Sequence, residues 1–203
     1  MEQTSNRIVL RGNLAGPPEF SHENHGRRFF RFALEVPRLS GTADTLQVMA
    51  AEPLLEAVEA AEAPLVEVTG QIRSFNSRSE TGRKLIISVY AETLALADGE
   101  PVNHVELEGT LCKAPIYRRT PLGREICDVM LAVNRPYRRT DYLPCILWGR
   151  SAREAARLAV GDRLALTGRL QSREYVKILD GVGQKRVAYE VSAVSAAPAA
   201  AAL

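Results

Sequence analysis

The chain has 203 residues, 46% hydrophobic and 25% charged, enough for one large domain or two small ones with buried cores. No apolar run approaches the ~18–20 residues of a membrane-crossing helix. The opening Met1-Glu-Gln-Thr-Ser5 lacks the basic-then-apolar pattern of a secretion signal, so a cytoplasmic protein is expected. The formal net charge of +2 hides an asymmetry: residues 1–100 carry 10 Lys+Arg against 14 Asp+Glu, and residues 101–203 carry 16 against 10. That balance points to a polyanion at the second half.

The first predicted strand runs through Ile8, Leu10, Gly12 and Leu14, alternating with Val9, Arg11 and Asn13. The second places Phe30, Phe32, Leu34 and Val36 on one face, and a third covers Leu46–Ala50. A helical stretch, Leu54–Ala63, is rich in alanine and glutamate. A fourth strand follows, ending in Val68-Thr69-Gly70, and then a fifth around Leu85–Val89. Ala97-Asp98-Gly99-Glu100-Pro101 reads as a short turn-rich linker.

Beyond the linker the series recurs 97 positions on. Asn6 falls on Asn103, Gly12 on Gly109, Pro18 on Pro115, Arg38 on Arg135 and Asp44 on Asp141. With a one-residue adjustment Val68-Thr69-Gly70 meets Leu166-Thr167-Gly168, and Ser74 meets Ser172. The predicted strands of the second copy run through Val105–Leu111, Cys127–Val133, Leu143–Trp148, Leu166–Gly168 and Arg186–Val191, with a helical stretch at Ala152–Leu158. The order β-β-β-α-β-β in under a hundred residues is that of a five-stranded Greek-key barrel, the OB-fold, rather than an SH3-like barrel. The expected architecture is therefore all-β. Two tandem OB-fold barrels, each with a short helix between strands three and four, occupy residues 1–98 and 102–195, and a disordered Ala-rich tail occupies 196–203.

The third strand of the second copy carries the informative chemistry. Leu143, Cys145 and Leu147 share a core face, while Tyr142, Ile146 and Trp148 share the other. Pro144 between them, lacking a ladder donor, implies an edge or a bulge. Tyr137 and Tyr175 sit at loop ends among arginines. Flat rings beside guanidinium groups are what single-strand binding needs: stacking contributes roughly 1–3 kcal/mol per base, and cations track the phosphates. The expected phosphate track is Arg118, Arg119, Arg124, Arg135, Arg138, Arg139, Arg169, Arg173 and Lys177. The alternative is that the same aromatic face packs on protein. Opposite Tyr137, Tyr142 and Trp148 the first copy has Ser40, Thr45 and Ala51, with only Phe75 near the Tyr175 position. Its helix carries Glu52, Glu56, Glu59 and Glu62, so a spacer or assembly surface with little DNA contact is expected there.

Other chemistries have little support. Cys112, Cys127 and Cys145 are odd in number and lack Cys-x-x-Cys spacing, so they read as reduced core thiols. His22-Glu-Asn-His25 has ligand-like spacing but no third ligand in view, so neither metal nor cofactor is expected. No phosphate loop, nucleophile elbow or zinc-protease motif appears, and an enzyme acting on a small molecule is the least favoured class.

At Leu131-Ala-Val-Asn-Arg135, Asp141-Tyr-Leu-Pro-Cys-Ile-Leu-Trp-Gly149 and Gly161-Asp-Arg-Leu-Ala-Leu-Thr-Gly-Arg-Leu-Gln-Ser-Arg-Glu-Tyr175 the chain resembles the bacterial single-stranded DNA-binding protein family. The resemblance spans Asn103–Val191 and is fainter over residues 6–96. It implies base stacking at the positions matching Tyr137, Tyr142, Trp148 and Tyr175, with a role in replication, recombination or repair. The two-domain arrangement resembles tandem members of the family and implies a homodimer presenting four barrels. Typical members end in an acidic, hydrophobic tip that recruits other proteins. This chain has no acid after Glu190. That departure leaves a second expectation open, an OB-fold interaction protein or primosome-type accessory subunit whose aromatic face binds protein.

Overall fold

The computed structural model describes residues 6–58, 65–79, 82–136, 138–179 and 181–199. In the first copy the strands are β1 (Asn6–Asn24), β2 (Arg27–Pro37), β3 (Ala43–Ala51), β4 (Leu65–Ser79) and β5 (Gly82–Leu96), with helix α1 (Glu52–Leu55) between β3 and β4. In the second they are β6 (Val102–Leu111), β7 (Ile116–Arg119), β8 (Glu125–Arg135), β9 (Arg139–Trp148), β10 (Arg163–Leu179) and β11 (Val182–Pro198), with α2 (Gly149–Ala155) after β9. Both helices stand where the alternation breaks, but each starts before its expected first residue and ends short of its expected last one, α1 at Leu55 and α2 at Ala155; residues 59–63 of the first expected helix lie outside the described residues. No described helix is long and apolar enough to cross a membrane.

Each copy closes on itself. β1-β4-β5-β3-β2 returns to β1, and β6-β10-β11-β9-β8 returns to β6, giving two five-stranded barrels of the OB type. The alternating apolar positions fill them: Leu10, Leu34, Leu46 and Ile72 in the first, Leu107, Leu131, Leu143 and Leu170 in the second, all buried. Full burial of each such side chain stabilises the fold by roughly 1.5–3 kcal/mol. Cys127 and Cys145 lie in the second core. In the first barrel β1 runs on past Gly16 to pair with the start of β2, whereas the second copy breaks at Cys112–Pro115 and restarts as β7.

The barrels are not beads on a linker. β1 and β6 pair antiparallel from Asn6↔Leu107 to Arg11↔Val102, so one eleven-stranded sheet runs through both. Matching bulges at Thr69/Gly70 and Thr167/Gly168 stand at the same place in both copies, and the one-residue adjustment of the repeat falls before them, ahead of Val68 and Leu166. A Cβ at Gly70 would lie 2.0 Å from the Tyr90 carbonyl oxygen, and one at Gly168 2.2 Å from that of Ser192. Beside each bulge an asparagine takes the place of a strand partner. Asn6 Nδ2 donates to the Ile72 carbonyl at 2.7 Å and its Oδ1 accepts from the Ile72 amide at 2.9 Å; Asn103 does the same with Leu170 at the same distances.

One expectation is corrected. Ala196, Ala197 and Pro198, assigned to a disordered tail, continue β11 and pair with Leu166, Ala165 and Leu164. Small side chains that read as low complexity are compatible with a strand whose partner is supplied by β10. Pro144 occupies a local edge, as expected: it pairs with Met130 of β8 without a shift, and β11 reaches β9 only at Cys145 and Ile146, so its missing donor leaves no ladder bond unmade.

Candidate nucleic-acid interface

The arms β4–β5 and β10–β11 extend past their own barrels, and each lies on the third strand of the other. Ser74 of β4 donates its amide to Asp141 Oδ1 at 2.7 Å, and its Oγ accepts from the Tyr142 amide at 2.7 Å. Ser172 of β10 donates its amide to Asp44 Oδ1 at 2.8 Å, and its Oγ accepts from the Thr45 amide at 3.3 Å. An arginine completes each clamp. Arg135 Nε stands 2.8 Å from Asp141 Oδ2, and Arg38 pairs with Asp44 while donating to the Ser172 carbonyl at 3.0 Å. The residues matched by the repeat (Arg38 with Arg135, Asp44 with Asp141, Ser74 with Ser172) are thus two copies of one inter-barrel clamp.

The outer face of the second barrel carries the expected rings. On β9, Tyr142 is 43% exposed and Trp148 37%, with Ile146 buried between them. The Trp148 indole Nε1 donates to Ser192 Oγ at 3.0 Å, which fixes the ring at the edge of β11. Trp148 stands six positions after Tyr142, about 20 Å along an extended strand. On β10 the row Arg169, Gln171, Arg173 and Tyr175 shares a side with Glu190 and Ser192 through the register Arg169↔Ser192 and Gln171↔Glu190. Tyr175 is 36% exposed, and the Arg173 guanidinium carbon stands 5.9 Å from its ring centre. Tyr137 and the Lys177 side chain lie outside what the structure describes.

The arginines sort by their partners. Arg118 is bound to Asp128 at 2.7 Å, and that hydrogen bond raises its pKa above the ordinary guanidinium value. Arg119 faces Glu125 at 3.5 Å, and Arg173 is 3.8 Å from Glu190. Arg135 is held in the clamp by an Asp141 carboxylate that is fully buried, so it braces the junction rather than joining an open track. Among the described residues no ion pair involves Arg124, Arg138, Arg139 or Arg169. By register, Arg138 and Arg139 flank the Tyr142 end of the aromatic row, and Arg124 precedes the Glu125–Ile126 segment that faces Trp148.

The first barrel has a different outer face from the bare one expected. At the Trp148 position it has Ala51, but Phe29 stands opposite Ala51 on β2, and Tyr90 on β5 sits beside Met49. Phe29 and Tyr90 ring centres are 6.2 Å apart, His22 stacks on Phe29 at 5.0 Å, and Arg73 lies 5.1 Å over Tyr90. Phe75 is 53% exposed. The rings are supplied by neighbouring strands, so comparing the two third strands position by position misses them. These residues line a cleft of about 840 Å³ whose far wall is Arg135, Pro136 and Arg139 of the second barrel. His22 and His25 lie in it, and among the described residues no set of three or more His, Cys, Asp or Glu is gathered for a metal.

Residues 102–197 match the Single-strand binding protein family, over the whole second barrel. The second barrel is thus similar to that family. Single-stranded DNA-binding protein 2 of Listeria innocua is 36% identical over 101 residues, 46% of this chain and 62% of that protein. Single-stranded DNA-binding protein A of Bacillus subtilis is 37% identical over 101 residues, 46% of this chain and 57% of its own length. The chain therefore spans about half to three-fifths of the length of the curated relatives it matches. Both barrels together resemble the wild-type single-stranded DNA binding protein from Thermus aquaticus in fold, with a TM-score of 0.79 over 98% of this chain and 94% of that one at 23% identity.

Proposed function

We propose that the chain binds single-stranded DNA without catalysis, with the outer face of the second barrel as the principal contact. The observation that carries this is the pair Tyr142 and Trp148, both exposed on one face of a barrel similar to the single-strand binding protein family, with arginines at either end of the row that form no ion pair among the described residues. Two exposed rings on one face are costly to leave in water and supply a stacking platform that accepts any base. Arg124, Arg138, Arg139 and Arg169 are the cations that meet phosphates, and Arg173 joins them next to Tyr175. Of the wider set named from sequence, Arg118 and Arg119 would first have to give up Asp128 and Glu125, so they contribute less. Such binding suits replication, recombination or repair, where unpaired strands are exposed, and a second copy of the chain would present four barrels to one strand.

The test is to titrate oligo-dT at fixed salt into a Tyr142→Ala/Trp148→Ala double variant. Loss of two stacking rings at roughly 1–3 kcal/mol each predicts at least a tenfold fall in affinity. Unchanged affinity in a folded double variant would remove stacking from the account.

A further inference from the structure

We propose that Ser192 is a positioning residue for strand binding: its hydroxyl, by accepting the Trp148 indole proton, holds that ring in the orientation on which a base stacks. This rests on the single-strand reading above and deepens it by assigning part of the affinity to a buried side chain behind the contact face.

The two copies fill the same corner in opposite ways. Tyr90 of β5 and Ser192 of β11 are equivalent by register: Gln71↔Tyr90 corresponds to Arg169↔Ser192 beside the bulges, and Met49↔Tyr90 to Ile146↔Ser192 in the parallel pairs. Ala51 and Trp148 are equivalent as well, opposite Phe29 and Ile126. The first barrel therefore combines Ala51 with Tyr90, and the second combines Trp148 with Ser192. In each copy one strand gives a ring and the other a smaller side chain, as close packing around one aromatic slot requires.

Serine adds more than room. Alanine would leave the same space, but only a hydroxyl offers an acceptor to the indole, whose Nε1–H is its single polar group. That N–H reaches Ser192 Oγ at 3.0 Å. Ser192 is buried on a paired strand, while the ring is partly open to solvent, so a fixed element grips one edge and leaves ring surface free.

The place of Trp148 in the fold makes the grip matter. It is the last residue of β9, in extended conformation (φ −124°, ψ 147°), and the chain turns away at Gly149 with φ +54°. Its neighbours on the same face by register, Ile126 and Ile146, are apolar and set no direction, whereas a hydrogen bond does. A ring free to swing must be ordered when a base stacks on it, and ordering it beforehand removes that cost. Arg169 stands across the ladder from Ser192 and forms no ion pair among the described residues. One pair of the β10–β11 ladder thus carries both the anchor of the ring and a cation for a phosphate.

The experiment uses the full chain with Ser192→Ala, Ser192→Thr, Trp148→Ala and the Trp148→Ala/Ser192→Ala pair. Binding of dye-labelled oligo-dT of about 10 nucleotides, within the ~4–16 that one OB-fold covers, is followed by anisotropy. Ser192→Ala should weaken binding about three- to tenfold, the cost of ordering one released side chain. Ser192→Thr, which keeps the hydroxyl, should bind as the wild type does, and Ser192→Ala should cost nothing further once Trp148 is alanine. The one tryptophan gives one indole N–H signal by NMR, and its exchange with water should be slow in the wild type and in Ser192→Thr and fast in Ser192→Ala. Wild-type affinity in Ser192→Ala would overturn the inference. An equal loss with and without Trp148, or the same loss in Ser192→Thr, would do so too by tracing the effect to packing. A wild-type indole proton that exchanges freely would also overturn it, and that measurement stands even where Ser192→Ala fails to fold. A wild-type chain that leaves the oligonucleotide unbound would instead overturn the single-strand reading itself.

Discussion

Ile8 and Val105 face each other at the centre of the β1–β6 ladder, each fully buried. They are the same position of the two copies, 97 residues apart, so a local two-fold axis passes between them. Asn6↔Leu107 on one side is mirrored by Leu10↔Asn103 on the other. The chain is thus a dimer of barrels made continuous by its linker. Shared packing of this kind couples their stabilities. Ile8→Ala should lower stability by about 2–5 kcal/mol, the range for emptying a core site. The loss should be visible in the urea midpoint reported by Trp148, which sits in the other barrel. Two separated transitions, with the Trp148 midpoint unmoved, would show the barrels to be independent.

Asp141→Ala strips Arg135 of its buried partner and leaves the Ser74 amide without an acceptor. Breaking a buried pair from one side costs about 3–5 kcal/mol. Asp44→Ala should act in the same direction on the opposite clamp, where Ser172 and Arg38 lose the same contacts. Thermal denaturation of each variant checks this, and a double variant tests whether the clamps add.

Gly168 sits in the bulge that lets β10 turn under β11, and a methyl group there would meet the Ser192 carbonyl oxygen at 2.2 Å. Gly168→Ala should cost about 1–3 kcal/mol through forced backbone shifts. It should also disturb the Trp148 indole, whose hydrogen-bond partner is Ser192. A changed Trp148 emission maximum in the folded variant is the expected signature.

Glu125 offers a pH-dependent check on the β7–β8 hairpin. The hydrogen bond from the Tyr117 hydroxyl, with Arg153 and Arg119 close by, holds its carboxyl below the ordinary value. A depressed carboxylate contributes stability that is fully present above its unfolded pKa and is lost as pH falls through the folded one. Tyr117→Phe should therefore move the Glu125 titration upward, toward the ordinary carboxylate value, as read from side-chain carboxyl shifts by NMR.

Much of this was legible in the residues themselves. The period-two alternation of Ile8–Leu14 and Cys127–Val133, and the break before each helix, define the barrels because each strand buries one face. The 97-residue match of Asn6, Arg38 and Asp44 with their partners, and that of Ser74 one residue further on, was visible as well, but its meaning was not. Equivalence along the chain does not say that Asp141 binds Ser74 of the other copy, since that contact exists only once the arms cross. For the same reason Arg135 read as one more surface cation. Phe29 and Tyr90 were missed because sheet neighbours on different strands lie far apart in sequence. A search for aromatics across the whole outer face, rather than at matched positions of one strand, would have found them.

Trp148 is the single tryptophan of the chain, so its emission reports on the proposed contact without labelling. The most direct measurement is a titration of oligo-dT into the full chain at low salt, followed by addition of salt. The account predicts quenching of Trp148 that saturates with oligonucleotide and reverses as salt competes for the phosphate sites. Emission that stays unchanged while labelled oligonucleotide is bound would place the strand elsewhere, and unchanged emission with no binding would contradict the function itself.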